Sequence, residues 1–158
     1  MVKDMKIGIF IDGRDLFCGL NGKRINFGKF KKWILSDGED GYAGYFTCVD
    51  DIEAKINFFN HVKHSGFYVF VRKPKYDIEK KCFVFGSMNV ELAVEAMYHV
   101  NDYDKFVIVS GKHDFFLLCK KLENLGKEIE VIGFKNTVSN IFNKYNIRYI
   151  EDFLEYVD

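Results

Sequence analysis

The chain has a single proline and no net charge. Pro74 is the one proline in 158 residues, and 23 Lys and Arg are balanced by 23 Asp and Glu. A Pro-rich linker is thereby excluded. So is a basic surface spread over the whole molecule, although a local cationic patch is not. The four cysteines, Cys18, Cys48, Cys82 and Cys119, form no CxxC pair. Their spacing suits neither a disulfide framework nor a zinc site and points to a reducing compartment. Cys48 and Cys119 lie in apolar segments and read as small core residues. No run approaches the roughly 18 apolar residues of a membrane span. Met1 to Lys6 leads into a strand pattern without the apolar region of a signal peptide, so a cytoplasmic chain that does not engage a membrane is expected. Internal repeats and low-complexity segments are missing. So are GxGxxG and Walker sequences, and no nucleotide cofactor is expected.

What is present is apolar and aromatic: 48% of residues are hydrophobic and 17% aromatic. A single domain over residues 1–158 could bury about two thirds of its unfolded surface. Apolar runs at 6–11, 43–49, 67–72, 105–110, 129–133 and, more weakly, 147–150 predict strands. They are continuous rather than alternating, which suits parallel strands covered on both faces. Helical spacing links Phe27, Phe30, Trp33 and Ile34, and then Ile52, Ile56, Phe59 and Val62. It recurs in Val90, Ala93, Val94 and Met97, and in Phe115, Leu118, Leu122 and Leu125. Gly66 and Gly126 stand where helices should stop. Strand alternating with helix predicts an α/β fold, a three-layer α/β/α sandwich with a central, mainly parallel sheet. Lys73 to Gly86 is irregular and reads as an excursion or short hairpin at the sheet edge.

Two strand ends carry the chemistry. Ile7 to Ile11 runs into Asp12-Gly13, and Val107 to Val109 runs into Ser110-Gly111-Lys112-His113-Asp114. In a parallel sheet such ends share one rim, where open α/β folds place their ligands. If the two strands are neighbours, Asp12 and Asp114 approach each other. Clustered carboxylates repel by about 4 kcal/mol per pair at an effective dielectric of about 20. They call for a counter-cation, and Mg²⁺ or Mn²⁺ prefers such hard oxygen ligands. A metal of that kind activates water and stabilises charge on a phosphodiester. Spacing alone favours a simpler reading. Asp12 would cap the following helix, Asp15 would sit at capping-box distance, and Asp114 would lie in a first helical turn.

Four stretches, in order and across nearly the whole chain, resemble the NYN domain family of the PIN-like nuclease superfamily, in particular its LabA-like branch. Ile9 to Leu16 resembles the opening motif, usually Asp-Gly-x-Asn. Gly86 to Val94 resembles Gly-x-x-Asp-Val-x-Leu-Ala, and Val109 to Phe115 resembles Ser-Gly-Asp-x-Asp-Phe. Gly126 to Phe134 with Ser139 resembles the closing strand and serine-bearing helix. The resemblance implies a PIN-like fold and a metal-dependent ribonuclease or RNA-binding relative, with single-stranded RNA as partner. It implies that Asp12 and Asp114 stand at acidic positions of the site; in an active enzyme these and Asp15 would hold Mg or Mn and, with His113, form the catalytic set. Ser110 would bond a metal-bound water or help start the helix. Arg14 would clamp a phosphate or pair with Asp15.

Three positions depart from the family pattern, and at the first of them Asp15 stands in place of the usual asparagine and adds a carboxylate. Asn89 stands in place of the helix aspartate, and Lys112 in place of the first aspartate of Ser-Gly-Asp. Glu91 does not compensate, because two residues along a helix is a turn of about 200°. An ammonium at position 112 would repel a divalent ion and could neutralise Asp12 and Asp114 itself. Hydrolysis is therefore expected to be weak or lost. The alternative is a non-catalytic pseudonuclease serving as an RNA-binding or protein-interaction module.

Outside this site, Arg72, Lys73, Lys75 and Tyr76, with Lys80 and Lys81 beyond, form a local basic patch. It reads equally as a phosphate-contacting arm or a solvated loop. The Lys23 to Trp33 mixture of bases and aromatics reads as core rings with a lysine-covered outer face. His61 and His64 read as surface residues. The aromatic stretches 42–46 and 145–156 are candidates for a homodimer surface.

Overall fold

The computed structural model describes residues 5–36, 39–84 and 86–157. The first half holds β1 (Lys6–Asp12), α1 (Gly13–Leu20), α2 (Phe27–Ile34), β2 (Glu39–Cys48), α3 (Ile56–His64) and β3 (Tyr68–Arg72). Then come β4 (Lys75–Asp77), β5 (Cys82–Val84), α4 (Asn89–Tyr98), β6 (Lys105–Val109) and α5 (Phe116–Asn124). The chain closes with β7 (Glu128–Gly133), β8 (Asn146–Tyr149) and α6 (Ile150–Val157). Six strands form one sheet in the order β3-β2-β1-β6-β7-β8, and every neighbouring pair is parallel. The chain builds outward from β1 to β3, crosses back to β6 and builds outward again to β8. The direction of winding reverses between β1 and β6, which is the switch point where such sheets open a crevice.

Both faces of the sheet are covered, which is why the strands read as unbroken apolar runs. Ile7, Ile9 and Ile11 face a core with Leu16 and Leu20 of α1, Phe30 of α2, Val62 of α3 and Phe153 of α6. Phe10, Phe106 and Ile108 face the other core, with Leu92 and Ala96 of α4 and Cys119 and Leu122 of α5. The two-residue period of a strand assigns each side chain of β1 to one layer or the other. The expected three-layer sandwich is what forms. Cys48 and Cys119 are buried in it, and Gly66 and Gly126 take left-handed φ values of +97° and +83° after their helices.

Two expectations need correction. On α4 the buried positions are Leu92 and Ala96, while Val90, Val94 and Met97 are exposed. That helix carries apolar residues on two i,i+4 stripes, and the small Ala96 lets the 92–96 stripe lie closest to the sheet. The 42–46 stretch is not a surface. β2 lies inside the sheet between β1 and β3, and Tyr42, Tyr45 and Phe46 are buried. Among the described residues no helix is long and apolar enough to cross a membrane.

Within 73–86, residues 75–84 form a hairpin. β4 and β5 pair antiparallel in their own two-stranded sheet, with Lys75, Tyr76 and Asp77 opposite Val84, Phe83 and Cys82. At the far edge of the main sheet a charge clamp joins β6, β7, β8 and α2. Arg148 donates from Nε and Nη2 to Glu130 Oε1 at 2.9 and 2.5 Å, and Lys105 Nζ lies 3.3 Å from Glu130 Oε2. The same guanidinium donates to the carbonyls of Trp33 and Ile34, both at 2.9 Å, and lies over the Trp33 ring at 4.5 Å. It thus satisfies carbonyls that the end of α2 leaves without helical partners.

Candidate functional site

β1 delivers Asp12 to the switch point. Its register with β6 sets Ile11 opposite Val109, which brings Asp12 level with Ser110. Ser110 Oγ donates to Asp12 Oδ2 at 3.1 Å, and both residues are buried. Asp12 Oδ1 accepts the Asp15 backbone N–H at 3.3 Å, so Asp12 also caps α1. The helix begins immediately after the strand because residue 13 has no side chain. A Cβ on Gly13 would lie 2.6 Å from Tyr45 Cζ and 2.9 Å from the Phe46 carbonyl oxygen. Tyr45 is a buried neighbour of the site that sequence reasoning missed. Its only sequence signal is its place in an apolar strand. Burial, reinforced by the charge of Asp12, pushes its phenol well above the usual range, so it stays protonated.

The loop after β6 closes over these carboxylates. The Gly111 N–H donates to Asp15 Oδ2 at 3.2 Å, and the Lys112 N–H donates to Ser110 Oγ at 3.3 Å. Lys112 Nζ lies 3.4 Å from Asp12 Oδ2, with the lysine partly exposed and the aspartate buried. Asp15 is pushed above the usual carboxylate range, first by burial and then by the charge of Asp12. The Gly111 hydrogen bond and Lys112 oppose that rise.

The sign of the resulting pH dependence follows. Native Asp15 retains a proton that the unfolded chain has lost above its own value of about 3.9. Stability therefore falls as pH rises from about 4 through the raised native value. Asp15→Asn is expected to remove that fall, because the amide oxygen still accepts from Gly111 while carrying no charge. Urea unfolding between pH 4 and 8 measures it. A profile unaltered by the substitution would clear Asp15 as the source.

Asp114 belongs to a second cluster on the same rim. It sits in the single 3-10 turn before α5, and Asn89 Nδ2 donates to its Oδ2 at 2.8 Å. His113 Nε2 lies 3.2 Å from its Oδ1, with the histidine mostly exposed. Ser87 Oγ accepts the Asn89 N–H at 3.0 Å and so starts α4. Glu91 turns away, as its angular offset requires, and pairs with Arg72 at 2.8 Å. Arg14 is half-buried in the first turn of α1. Lys73, Lys75 and Tyr76 are exposed beyond the end of β3, hence beyond the same rim.

The site residues thus come together as two groups rather than one. Asp12, Asp15, Ser110 and Lys112 form the first, and Asn89, His113 and Asp114 the second. Among the described residues no three His, Cys, Asp or Glu side chains are arranged to hold one metal ion. At positions 112 and 89, where the family has acids, the structure sets hydrogen donors against the carboxylates: the Lys112 ammonium on Asp12 and the Asn89 amide on Asp114. This donor set, as folded, does not fit a divalent cation.

The family model for the NYN domain matches residues 6–154. The chain belongs to the NYN domain family. Through it the chain joins the PIN-like nuclease superfamily, whose nucleases are generally dependent on divalent metals. A crystal structure of a protein of unknown function from Vibrio parahaemolyticus is similar to this NYN domain, with a TM-score of 0.81 at 20% identity. The similarity covers 96% of this chain and 98% of that one, and at this identity it speaks to the fold alone. The search of curated proteins gave no match.

Proposed function

We propose that this NYN domain binds or acts on single-stranded RNA at the switch-point rim, with metal-dependent hydrolysis weak or lost. One observation carries the reading: the Lys112 ammonium stands 3.4 Å from Asp12 Oδ2, against a carboxylate that a metal would need. Two unit charges about 4 Å apart interact by about 4 kcal/mol at an effective dielectric of about 20. A divalent ion would meet roughly twice that repulsion from the ammonium. The ammonium gives Asp12 its counter-charge without activating a water. Its partly exposed position leaves it able to meet a phosphate as a point charge, a role lysine commonly takes. The exposed imidazole of His113 adds a second group that can meet a phosphate when protonated.

The test pairs cleavage with binding. Unstructured RNA is incubated with the protein in Mg²⁺ or Mn²⁺, and binding is measured separately in EDTA. Cleavage near background with binding retained is the expected outcome. Rapid metal-dependent cleavage that Asp12→Asn abolishes would refute the loss of hydrolysis. Failure to bind RNA under either condition would remove RNA as the ligand.

A further inference from the structure

Between β3 and α4 the chain forms a two-stranded arm, residues 75–84, in which every residue but the half-buried Asp77 is exposed. Four residues, 78–81, make its tip. Asp77 Oδ1 closes that turn by accepting the N–H groups of Glu79 and Lys80 at 2.9 and 3.0 Å, and Lys81 takes a φ of +53°. Tyr76 and Phe83 face each other directly across the strands. Their ring centroids are 5.2 Å apart at an interplanar angle of 73°, and they are 54% and 53% exposed. The edge of one ring meets one face of the other, and with both residues about half exposed the remaining ring surface stays open to solvent. In sequence residues 73–84 carry Lys73, Lys75, Lys80 and Lys81, against Asp77 and Glu79. In a chain of zero net charge this segment carries a local cationic excess.

The arm is tied to the candidate site. Arg72 pairs with Glu91 and donates from Nη2 to the Ser87 carbonyl at 2.7 Å, which joins the outgoing and returning legs. Ser87 in turn caps the Asn89 N–H, and Asn89 holds Asp114. The returning leg therefore ends on the second carboxylate cluster. A lone two-stranded hairpin is marginal in water. Here the arginine fastens its base and leaves its aromatic and basic end outward.

We infer that this arm is the clamp through which the rim holds single-stranded RNA. Tyr76 and Phe83 stack on unpaired bases, and Lys73, Lys75, Lys80 and Lys81 meet the phosphates. Arg72 is a positioning residue that fixes the arm against α4. The inference rests on the RNA reading above and supplies its binding surface, including Phe83, which no motif singled out. Open rings on an exposed, lysine-rich segment match a polyanion with exposed bases. Base stacking tolerates any sequence because every base has a π-face. A protein partner would instead have to cover the lysines.

Binding is measured on the full chain in EDTA by fluorescence anisotropy, with labelled oligouridine and an RNA duplex of the same length. The single strand should bind more tightly than the duplex. Tyr76→Ala and Phe83→Ala should each weaken it about ten-fold or more, and Tyr76→Phe should keep most of the affinity. Lys73→Gln with Lys75→Gln should reduce the salt dependence of log K by about one unit per lysine. Thermal unfolding of each variant checks that the exposed substitutions leave the fold intact. Oligouridine binding that neither aromatic substitution alters would overturn the arm while leaving the RNA reading in place. No RNA binding by the parent chain would overturn both. Aromatic variants that change the mass in solution, with RNA affinity unchanged, would mark the arm as a contact between copies and overturn the clamp.

Discussion

Replacing Lys112 and Asn89 together by aspartate is expected to give the rim Mn²⁺ binding and to raise cleavage of single-stranded RNA at least ~100-fold over the parent. Each substitution exchanges a hydrogen donor for a carboxylate at a position already facing an acid: Lys112 against Asp12 and Asn89 against Asp114. Removing the ammonium relieves a repulsion of about 4 kcal/mol for each unit of cation charge, and the new carboxylates add attraction of the same order. Even half of one such contribution amounts to more than ten-fold, so the combined change should be plain in a titration. Without metal the double variant should be less stable than the parent, because five carboxylates then share one rim. Adding Mn²⁺ should restore its melting temperature, since a ligand that binds only the native state stabilises it. Calorimetric titration of Mn²⁺ and a gel assay of RNA cleavage test the two halves. If the variant folds, binds no Mn²⁺ and cleaves no faster, the ammonium is not what keeps a metal from this site.

Glu130→Ala is expected to cost about 3–5 kcal/mol of folding stability, the range for breaking a buried ion pair from one side. For a chain of this size that lowers the melting temperature by roughly 10 °C. The Glu130 side chain is 9% exposed and the Arg148 side chain 28%, so both charges depend on each other rather than on water. Its removal strands Lys105 and Arg148 and loosens the guanidinium that holds the Trp33 and Ile34 carbonyls. The pair Lys135–Asp152 is the internal control. It has a 3.6 Å separation and side chains 51% and 52% exposed, so Asp152→Ala should cost under about 1 kcal/mol. Urea unfolding of both variants decides the matter. Equal losses would mean that the clamp is no better than a surface pair.

Much of the fold was legible because burial on both faces leaves a signature in composition. The runs at 6–11 and 105–110 could be read as strands from apolar continuity, and Gly66 and Gly126 as helix stops from their need for positive φ. α4 departs from its sequence pattern for a physical reason. Its apolar residues lie on two stripes, and nothing local says whether Val90 and Val94 or Leu92 and Ala96 will meet the sheet. The 42–46 stretch reads as a possible surface because strand order is not written in any strand. Only the placement of β2 between two neighbours buries it.

The candidate site divides in the same way. The sequence by itself determined that Asp12 and Asp114 follow apolar strands, whose ends share one rim in a parallel sheet. It also determined that residues 89 and 112 are not acids and that Glu91 points elsewhere. These are matters of residue type, period and local geometry. Only the tertiary structure decided which donor neutralises which carboxylate. Lys112 lies against Asp12 and Asn89 against Asp114. Ser110 and Asp12 meet although 98 residues separate them along the chain. Those pairings depend on the β1–β6 register and on where α4 comes to rest. Side chains so distant in sequence interact only once the whole sheet has brought them within a few ångströms, and no local pattern records that distance.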